Sequence, residues 1–383
     1  MVSASAPIGP SPERQAPPGH LPGFDGLRGV AAVAVLLYHA LWRTPALRPA
    51  APLLGHGDIG VEVFFVMSGF LVARPIVAHV TGAARPVAFR DFWRKRIARI
   101  WPAYLAALAG ALVVGIGRID GVSGWVKHGL LIQTWFEDRD GSGLRVSWTL
   151  VVEVAFYALV LPLGWLAARA GRRGLDAWVA LCFLSIGVGS WAIMYISYGP
   201  TDVAYRVLLP YLPGFGAGML LAAAAAPEGD ERPWSDPLLT GIRALAARPW
   251  ACAALAAGTF VALVALMPSN RGTPAVEVGT ERAVQSFVQV VVVTFALAPL
   301  ALATTRARLL EHRALVALGA ASFGFYLWHI QVLRLLRPAL QGPDALALLA
   351  VAAAVGASYL AGQASRRWVE EPARRLLVGA PRR

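Results

Sequence analysis

Residues 149–168 read TLVVEVAFYALVLPLGWLAA. Twenty residues with a single charge make a helix about 30 Å long, which matches the hydrocarbon thickness of a bilayer. A secreted protein with one anchor would show one such run and a polar remainder. Here apolar runs recur outward in both directions, from Leu27 to the 360s, with short charged loops between them. Of the 383 residues, 57% are hydrophobic and 15% charged, and mean hydropathy is +0.57. Ordinary soluble domains run about 45–50% apolar and about 25% charged. The fold class is therefore all-α, a polytopic transmembrane helix bundle.

Ten spans are expected, at 26–42, 57–80, 100–117, 146–168, 175–198, 203–226, 249–268, 284–305, 314–336 and 343–363. The first two are weak by hydropathy because they carry Arg28, His39, Asp58 and Glu62. Val122–Phe136 is too short and polar for an eleventh span and reads as an outer loop with a surface or re-entrant helix. The expected organisation is a disordered tail over residues 1–23, a transmembrane domain over 24–365 and a basic tail over 366–383. No tandem repeat is seen, and no appended soluble domain is expected. Residues 1–23 are rich in Pro, Ala and Ser without an apolar h-region, so no cleavable signal peptide is expected.

The formal charge is +13, and only Lys95 and Lys127 of the 35 basic residues are lysines. On a soluble chain that balance would point to nucleic acid. On a membrane chain, loop arginines set the orientation. With the N-terminus inside, the cytoplasmic segments hold 23 basic residues and the external loops 10. Both termini are therefore expected in the cytoplasm, with the lipid bilayer of the cell membrane as partner and no nucleic acid. Cys182 and Cys252 lie inside apolar runs and imply no disulfide framework.

Ionisable groups inside a bilayer are costly, so each is a functional candidate. Arg28 and His39 are eleven residues apart in the first span. At 100° per residue that is three turns plus about 20°, which puts both on one helix face about 16 Å apart. An arginine at that distance does not activate the histidine by contact. It suits the anionic end of an elongated ligand whose reactive end reaches His39. Counting about 1.5 Å per residue from the span ends, His39, Glu62, Glu153 and His329 fall at a common depth in the outer third of the membrane, with Tyr326 one turn below His329. Histidines and carboxylates at one depth suit general acid–base chemistry in which a carboxylate orients a histidine.

A third cluster, FWRKRIARIWPAY at Phe92–Tyr104, is basic and aromatic where a loop enters the third span. Most of its arginines fit positive-inside anchoring. Arg96 and Arg99, three apart and on one face, also suit forked binding of phosphate oxygens. PGFGAG at Pro213–Gly218 lacks the spacing and preceding strand of a dinucleotide loop, and Gly214 and Gly218 read as helix-packing positions. Ser68 in FFVMSGF lacks the flanks of a nucleophile elbow. The seven histidines and two cysteines show no metal-ligand spacing.

Six segments together resemble the acyltransferase 3 family of integral membrane acyl-CoA-dependent acyltransferases. They are FDGLRGVAAVAVLLYH (Phe24–His39), GVEVFFVMSGFLV (Gly60–Val72), FWRKRIARIWPAY (Phe92–Tyr104), SWTLVVEVAFY (Ser147–Tyr157), SFGFYLWHI (Ser322–Ile330) and VEEPARR (Val369–Arg375). The first and third are the most specific, because they keep the arginine-to-histidine spacing and the Arg-x-x-Arg pair. The resemblance implies ten core spans and transfer of a short acyl group, acetyl in the first instance, from cytoplasmic acyl-CoA to a sugar hydroxyl of a cell-surface or lipid-linked glycan. Acyl-CoA is then a co-substrate, with no permanently bound cofactor. It further implies that His39 is the essential histidine, Arg28 its motif partner, Arg96 and Arg99 the coenzyme-side arginines and Glu153 the fourth-span acid. Asp25, Glu62, Ser68, Tyr104, Trp148, Tyr326 and His329 complete the candidates as acceptor-site or supporting residues.

The sequence departs from the family pattern after Glu153, where a second acid and a glutamine are replaced by Val154 and Ala155. A role requiring paired carboxylates is not expected there. No extracellular hydrolase-like domain is expected, so acceptor recognition is expected from spans and loops. Two rival readings share these residues. In a proton-coupled transporter the buried ions form a path, although no repeated discontinuous helices are seen. In a small-molecule acyltransferase the acceptor is a macrolide sugar.

Overall fold

Spans rich in Ala, Leu and Val leave the backbone nothing but itself to bond with in lipid, and the chain answers with helices. The computed structural model describes residue 21 and residues 23–115, 117–136, 143–197, 207–227, 234–267 and 278–379. Most of the expected 1–23 tail and part of the expected sixth span lie outside these. The principal helices are α1 (Phe24–Leu41), α2 (Ile59–Val80), α3 (Phe89–Val113), α4 (Gly121–Leu130), α5 (Trp148–Arg169), α6 (Gly174–Ser197) and α7 (Leu212–Ala224). They continue with α8 (Asp236–Ala246), α9 (Pro249–Leu266), α10 (Val278–Ala301), α11 (Arg313–Leu335), α12 (Asp344–Ser365) and α13 (Glu371–Val378). Among the described residues no strand forms, and nine helices are long and apolar enough to cross a membrane. The protein is a multi-pass membrane protein with an all-α bundle.

Three elements differ from the sequence reading. The third span begins at Phe89 instead of 100, because the charged stretch before Trp101 continues the helix; Arg96 and Arg99 thus sit within α3 and not at its entry. The sixth expected span is represented by α7, whose 13 residues reach only about 20 Å. All of them but Leu220 are buried, so α7 fills the bundle and does not face lipid. Gly69 on α2 and Gly218 on α7 permit this. A Cβ at either would collide with the opposing backbone carbonyl, of Phe215 and Val66 respectively.

The third difference concerns residues 366–383, expected as a tail. Residues Arg366–Glu370 form a π-helical turn and α13 follows to Val378. The segment is tied back by Arg94, which donates to the Val378 carbonyl (3.2 Å). The expected short helix within 122–136 is α4, docked on α3 through Trp101 Nε1 to the Gly129 carbonyl (2.9 Å) and Tyr104 OH to the His128 carbonyl (3.0 Å).

The contact that positions the functional residues is α1 against α11. Gly26 faces the Leu310 carbonyl and Gly319 faces the Asp25 carbonyl, each at a separation that leaves no room for a Cβ. The two helices run parallel from there, bringing Arg28 beside Ser322 and Phe323, and His39 beside His329. Small residues at a helix interface give this close approach in lipid, where packing and not water exclusion drives association.

Candidate active site

Arg28 on α1, Arg96 and Arg99 on α3, Ser68 on α2, Glu153 and Thr149 on α5, and Ser322 and Tyr326 on α11 line one cavity. Its walls are otherwise apolar, including Phe64, Phe65, Leu71 and Phe323. The eleven-residue face argument for Arg28 and His39 holds in one respect. Both side chains turn toward α11, Arg28 into the cavity and His39 onto His329.

At the Arg28 end three cations meet two carboxylates, Asp25 and Glu153. Arg28 is 3.8 Å from Asp25. Arg96 lies over the rings of Tyr157 and Phe92, its guanidinium carbon 5.0 and 5.4 Å from their centres. Its Nε is buried and has no hydrogen-bond partner among the described residues. A buried unpaired donor costs about 1–3 kcal/mol, so an anion that engages it recovers that cost. Glu153 is held from two sides, by Ser68 Oγ (3.0 Å) and by the Tyr157 hydroxyl. Buried Ser322 Oγ, without a hydrogen-bond partner among the described residues, adds a further polar group to the wall.

Tyr326 lines the same cavity. Thr149 Oγ1 donates to the Tyr326 hydroxyl (3.1 Å), which donates to the Val146 carbonyl (3.3 Å). One turn further along α11 stands His329, its ring 5.5 Å from that of Tyr326. His329 Nδ1 contacts the Tyr326 carbonyl (2.5 Å), and its Nε2 is 3.2 Å from His39 Nδ1. His39 Nδ1 is also 2.9 Å from the Val35 carbonyl. A backbone carbonyl can only accept, so the network assigns a proton to Nδ1 of each ring. The lone pair of His329 Nε2 then receives the His39 N–H, and in a neutral His39 ring the remaining lone pair is on Nε2. Arg43 Nη1 donates to the His39 carbonyl (2.6 Å) and fixes the end of α1.

The expected convergence of His39, Glu62, Glu153 and His329 resolves into separate places. His39 and His329 pair directly. Glu153 takes its described hydrogen bonds from Ser68 and Tyr157 and lines the arginine cavity, so a histidine, and not this carboxylate, is the ring partner of His39. Glu62 points the other way, toward Gly214 of α7, and its Oε2 is buried without a hydrogen-bond partner among the described residues. Tyr104 supports α4, and Trp148 packs against Tyr211 and Phe65. Sequence reasoning passed over Tyr157 and Thr149. Their signal was the spacing of four residues to either side of Glu153, which places all three on one face of α5.

Comparison with known proteins adds an independent finding. A family model described as an acyltransferase domain matches residues 21–363. O-acetyltransferase OatA of Staphylococcus aureus is 28% identical over 168 residues, 39% of this chain and 26% of the relative. YrhL of Bacillus subtilis, provisionally named a peptidoglycan O-acetyltransferase, is 28% identical over 211 residues, 49% of this chain and 30% of the relative. Acyltransferase MdmB of Streptomyces mycarofaciens is 34% identical over 163 residues, 39% of this chain and 40% of the relative. The matched stretches thus span between about a quarter and two fifths of each relative's length. No solved structure matches the chain.

Proposed function

The chain belongs to the acyltransferase 3 family, and on that premise we propose that it moves an acetyl or other short acyl group from acyl-CoA to a hydroxyl of a cell-surface or lipid-linked glycan. The observation that carries the reading is the shared cavity: Arg28, Arg96 and Arg99 at one end, Tyr326 at the other, and the His39–His329 pair one turn beyond. The glycan acceptor is suggested by the name of the relative YrhL.

In this reading both termini are cytoplasmic, in line with the 23-to-10 division of basic residues. The coenzyme phosphates sit at Arg96, Arg99 and Arg28, as charge-assisted bonds to planar guanidinium groups favour. The slender pantetheine arm follows the apolar wall, with Glu153 available to accept from its amide N–H groups. The thioester reaches His39 past Tyr326. His39 Nε2 takes the proton of the acceptor hydroxyl as its oxygen attacks the thioester carbonyl. The C–S bond breaks, and the imidazolium returns that proton to the coenzyme thiolate. A variant of the same chemistry has His39 Nε2 carry the acyl group transiently before the acceptor attacks.

The test is transfer from radiolabelled acetyl-CoA to acceptors in a membrane extract by the purified protein. Wild type is expected to label a product, and His39→Ala to lose 10²–10⁴-fold or more in rate while retaining the coenzyme. Transfer at the wild-type rate in His39→Ala would remove the histidine from the mechanism. A proton-coupled transporter would label no product in any variant.

A further inference from the structure

The C-terminal segment meets the arginine cavity at its Arg28 end. Ser365, the last residue of α12, packs on α11, its Cβ 3.1 Å from the place a Cβ on Gly324 would take. Gly324 follows Ser322 and Phe323, which line the cavity. From Ser365 the π-helical turn Arg366–Glu370 crosses to α3, and both the turn and α13 pack along that helix. Arg94, near the start of α3, holds the Val378 carbonyl at the far end. Glu370 is eight residues back from Val378, about 12 Å of helix, and Arg99 is five residues on from Arg94, about 8 Å. The two side chains therefore fall at one level, and the charges that act on Glu370 are those of Arg99, Arg366 and Arg28.

Glu371, next in the chain, has an arginine of its own, Arg366 at 3.2 Å. Glu370 is half-buried and accepts from Ser365 Oγ (3.0 Å). Coenzyme phosphates bring several negative charges to Arg28 and Arg99. A carboxylate at the same level is attracted to these guanidinium groups while the cavity is empty, and is repelled once phosphates are there. Asp25 cannot withdraw, because the backbone that carries it is packed on Gly319. Glu370 can. No residue of α13 is buried, and its hydrogen bond from Arg94 is exposed, the conditions for local opening at little cost. A π-helical turn is rare and is found often at functional sites. Its relaxation to an α-turn would rotate everything after it by about 100°.

We infer that Glu370 is a positioning residue of the coenzyme site. It neutralises Arg99 and Arg28 in the empty protein, and the coenzyme phosphates displace it, together with α13, from α3. The inference rests on the reading of Arg28, Arg96 and Arg99 as coenzyme ligands and adds to it a residue and a motion. The carboxylate keeps the guanidinium groups gathered at the mouth of the cavity before the coenzyme arrives. Its return after transfer competes with the phosphates and helps the spent coenzyme leave.

The experiment uses the full-length protein in phosphatidylcholine nanodiscs and equilibrium binding of radiolabelled acetyl-CoA. Glu370→Gln removes the competing charge and should lower the Kd about three- to tenfold. In an Arg99→Gln background the same change should lower it by no more than about twofold, because the coupled partner is gone. A second measurement needs no variant. Acetyl-CoA should speed amide hydrogen exchange over residues 371–378 of the wild type, whereas acetyl-pantetheine, which lacks the phosphates, should not. A Kd that is unchanged or raised in Glu370→Gln overturns the inference and leaves Glu370 as a structural partner of Ser365. An equal gain with and without Arg99 overturns the pairing, and exchange over 371–378 that acetyl-CoA leaves unchanged or slows overturns the displacement. In these three outcomes the coenzyme reading stands. A wild-type protein that binds no acetyl-CoA overturns that reading and this inference with it.

Discussion

Arg96 rests on the face of Tyr157, 5.0 Å from guanidinium carbon to ring centre, while the hydroxyl of the same tyrosine donates to Glu153. One side chain thus positions both a cation and a carboxylate of the cavity. The two functions separate by mutation. Tyr157→Phe keeps the ring under Arg96 and removes one donor from Glu153, whereas Tyr157→Ala removes both. Cation–π contacts of this kind contribute about 0.5–2 kcal/mol, so the alanine variant should bind acetyl-CoA about twofold to thirtyfold less tightly than the phenylalanine variant. Equal affinities, measured by equilibrium binding, would show that Tyr157 does not hold Arg96 for the coenzyme.

The proposed role of Arg96 and Arg99 in holding the coenzyme makes a sharper prediction. Arg96→Ala and Arg99→Ala each delete a charge-assisted contact of roughly 1.5–3 kcal/mol, one to two decades in acetyl-CoA affinity. Arg118 is the control, because it is exposed and pairs with Asp120 at 2.9 Å away from the cavity. Arg43 does not serve as a control, since it contacts the His39 carbonyl. Binding that is unchanged in both α3 variants would assign Arg96 and Arg99 to membrane anchoring alone.

The close approach of α1 and α11 predicts a stability effect independent of any ligand. Gly319→Ala places a methyl against the Asp25 carbonyl, which is backbone and cannot swing aside. Overpacking typically costs 1–3 kcal/mol, so the variant should unfold at lower temperature in a detergent thermal scan. Gly258→Ala faces open space and should not. A wild-type Tm for Gly319→Ala would mean that the two helices are not in this contact.

Orientation is open to a chemical test at α4. Val122 is exposed at its start, and a single cysteine introduced there should react with an impermeant thiol reagent added outside intact cells. A cysteine at exposed Leu376 on α13 should react only after permeabilisation. The opposite pattern would invert the protein and put the arginine cavity on the side where acyl-CoA is absent.

Much of the fold was legible because lipid imposes a simple rule, about twenty apolar residues per crossing. That rule located α5, α9 and α11 closely. It misplaced the start of α3, where a basic helix runs on beyond its apolar part, and it could not separate α7, a short buried helix, from a span of the same hydropathy. The Arg28–His39 face was legible because helix geometry is regular over eleven residues. Depth counting failed for Glu62 because depth carries no azimuth. Glu62 and Ser68 lie on one helix, yet the first faces α7 and the second faces Glu153. The pairing of His39 with His329 spans 290 residues and could not be read from spacing.

That pairing gives the last prediction. With Nδ1–H of His39 directed at the Val35 carbonyl and at His329 Nε2, the proposed mechanism makes His329 a positioning residue that keeps the reactive lone pair on His39 Nε2. His329→Phe keeps a ring of similar size and removes the acceptor. His329→Gln keeps an acceptor near the position of Nε2. The phenylalanine variant should lose kcat with little change in acetyl-CoA KM, because the coenzyme arginines lie in the cavity on the other side of Tyr326. The glutamine variant should recover part of the loss. Selective ¹⁵N-histidine labelling, with His39→Ala used to assign the signal, reads the tautomer directly and needs no substrate. Wild type should show His39 protonated at Nδ1, and His329→Phe a mixture of tautomers. A purely packing role for His329 would leave the His39 tautomer unchanged in the phenylalanine variant and give the glutamine variant no advantage over it.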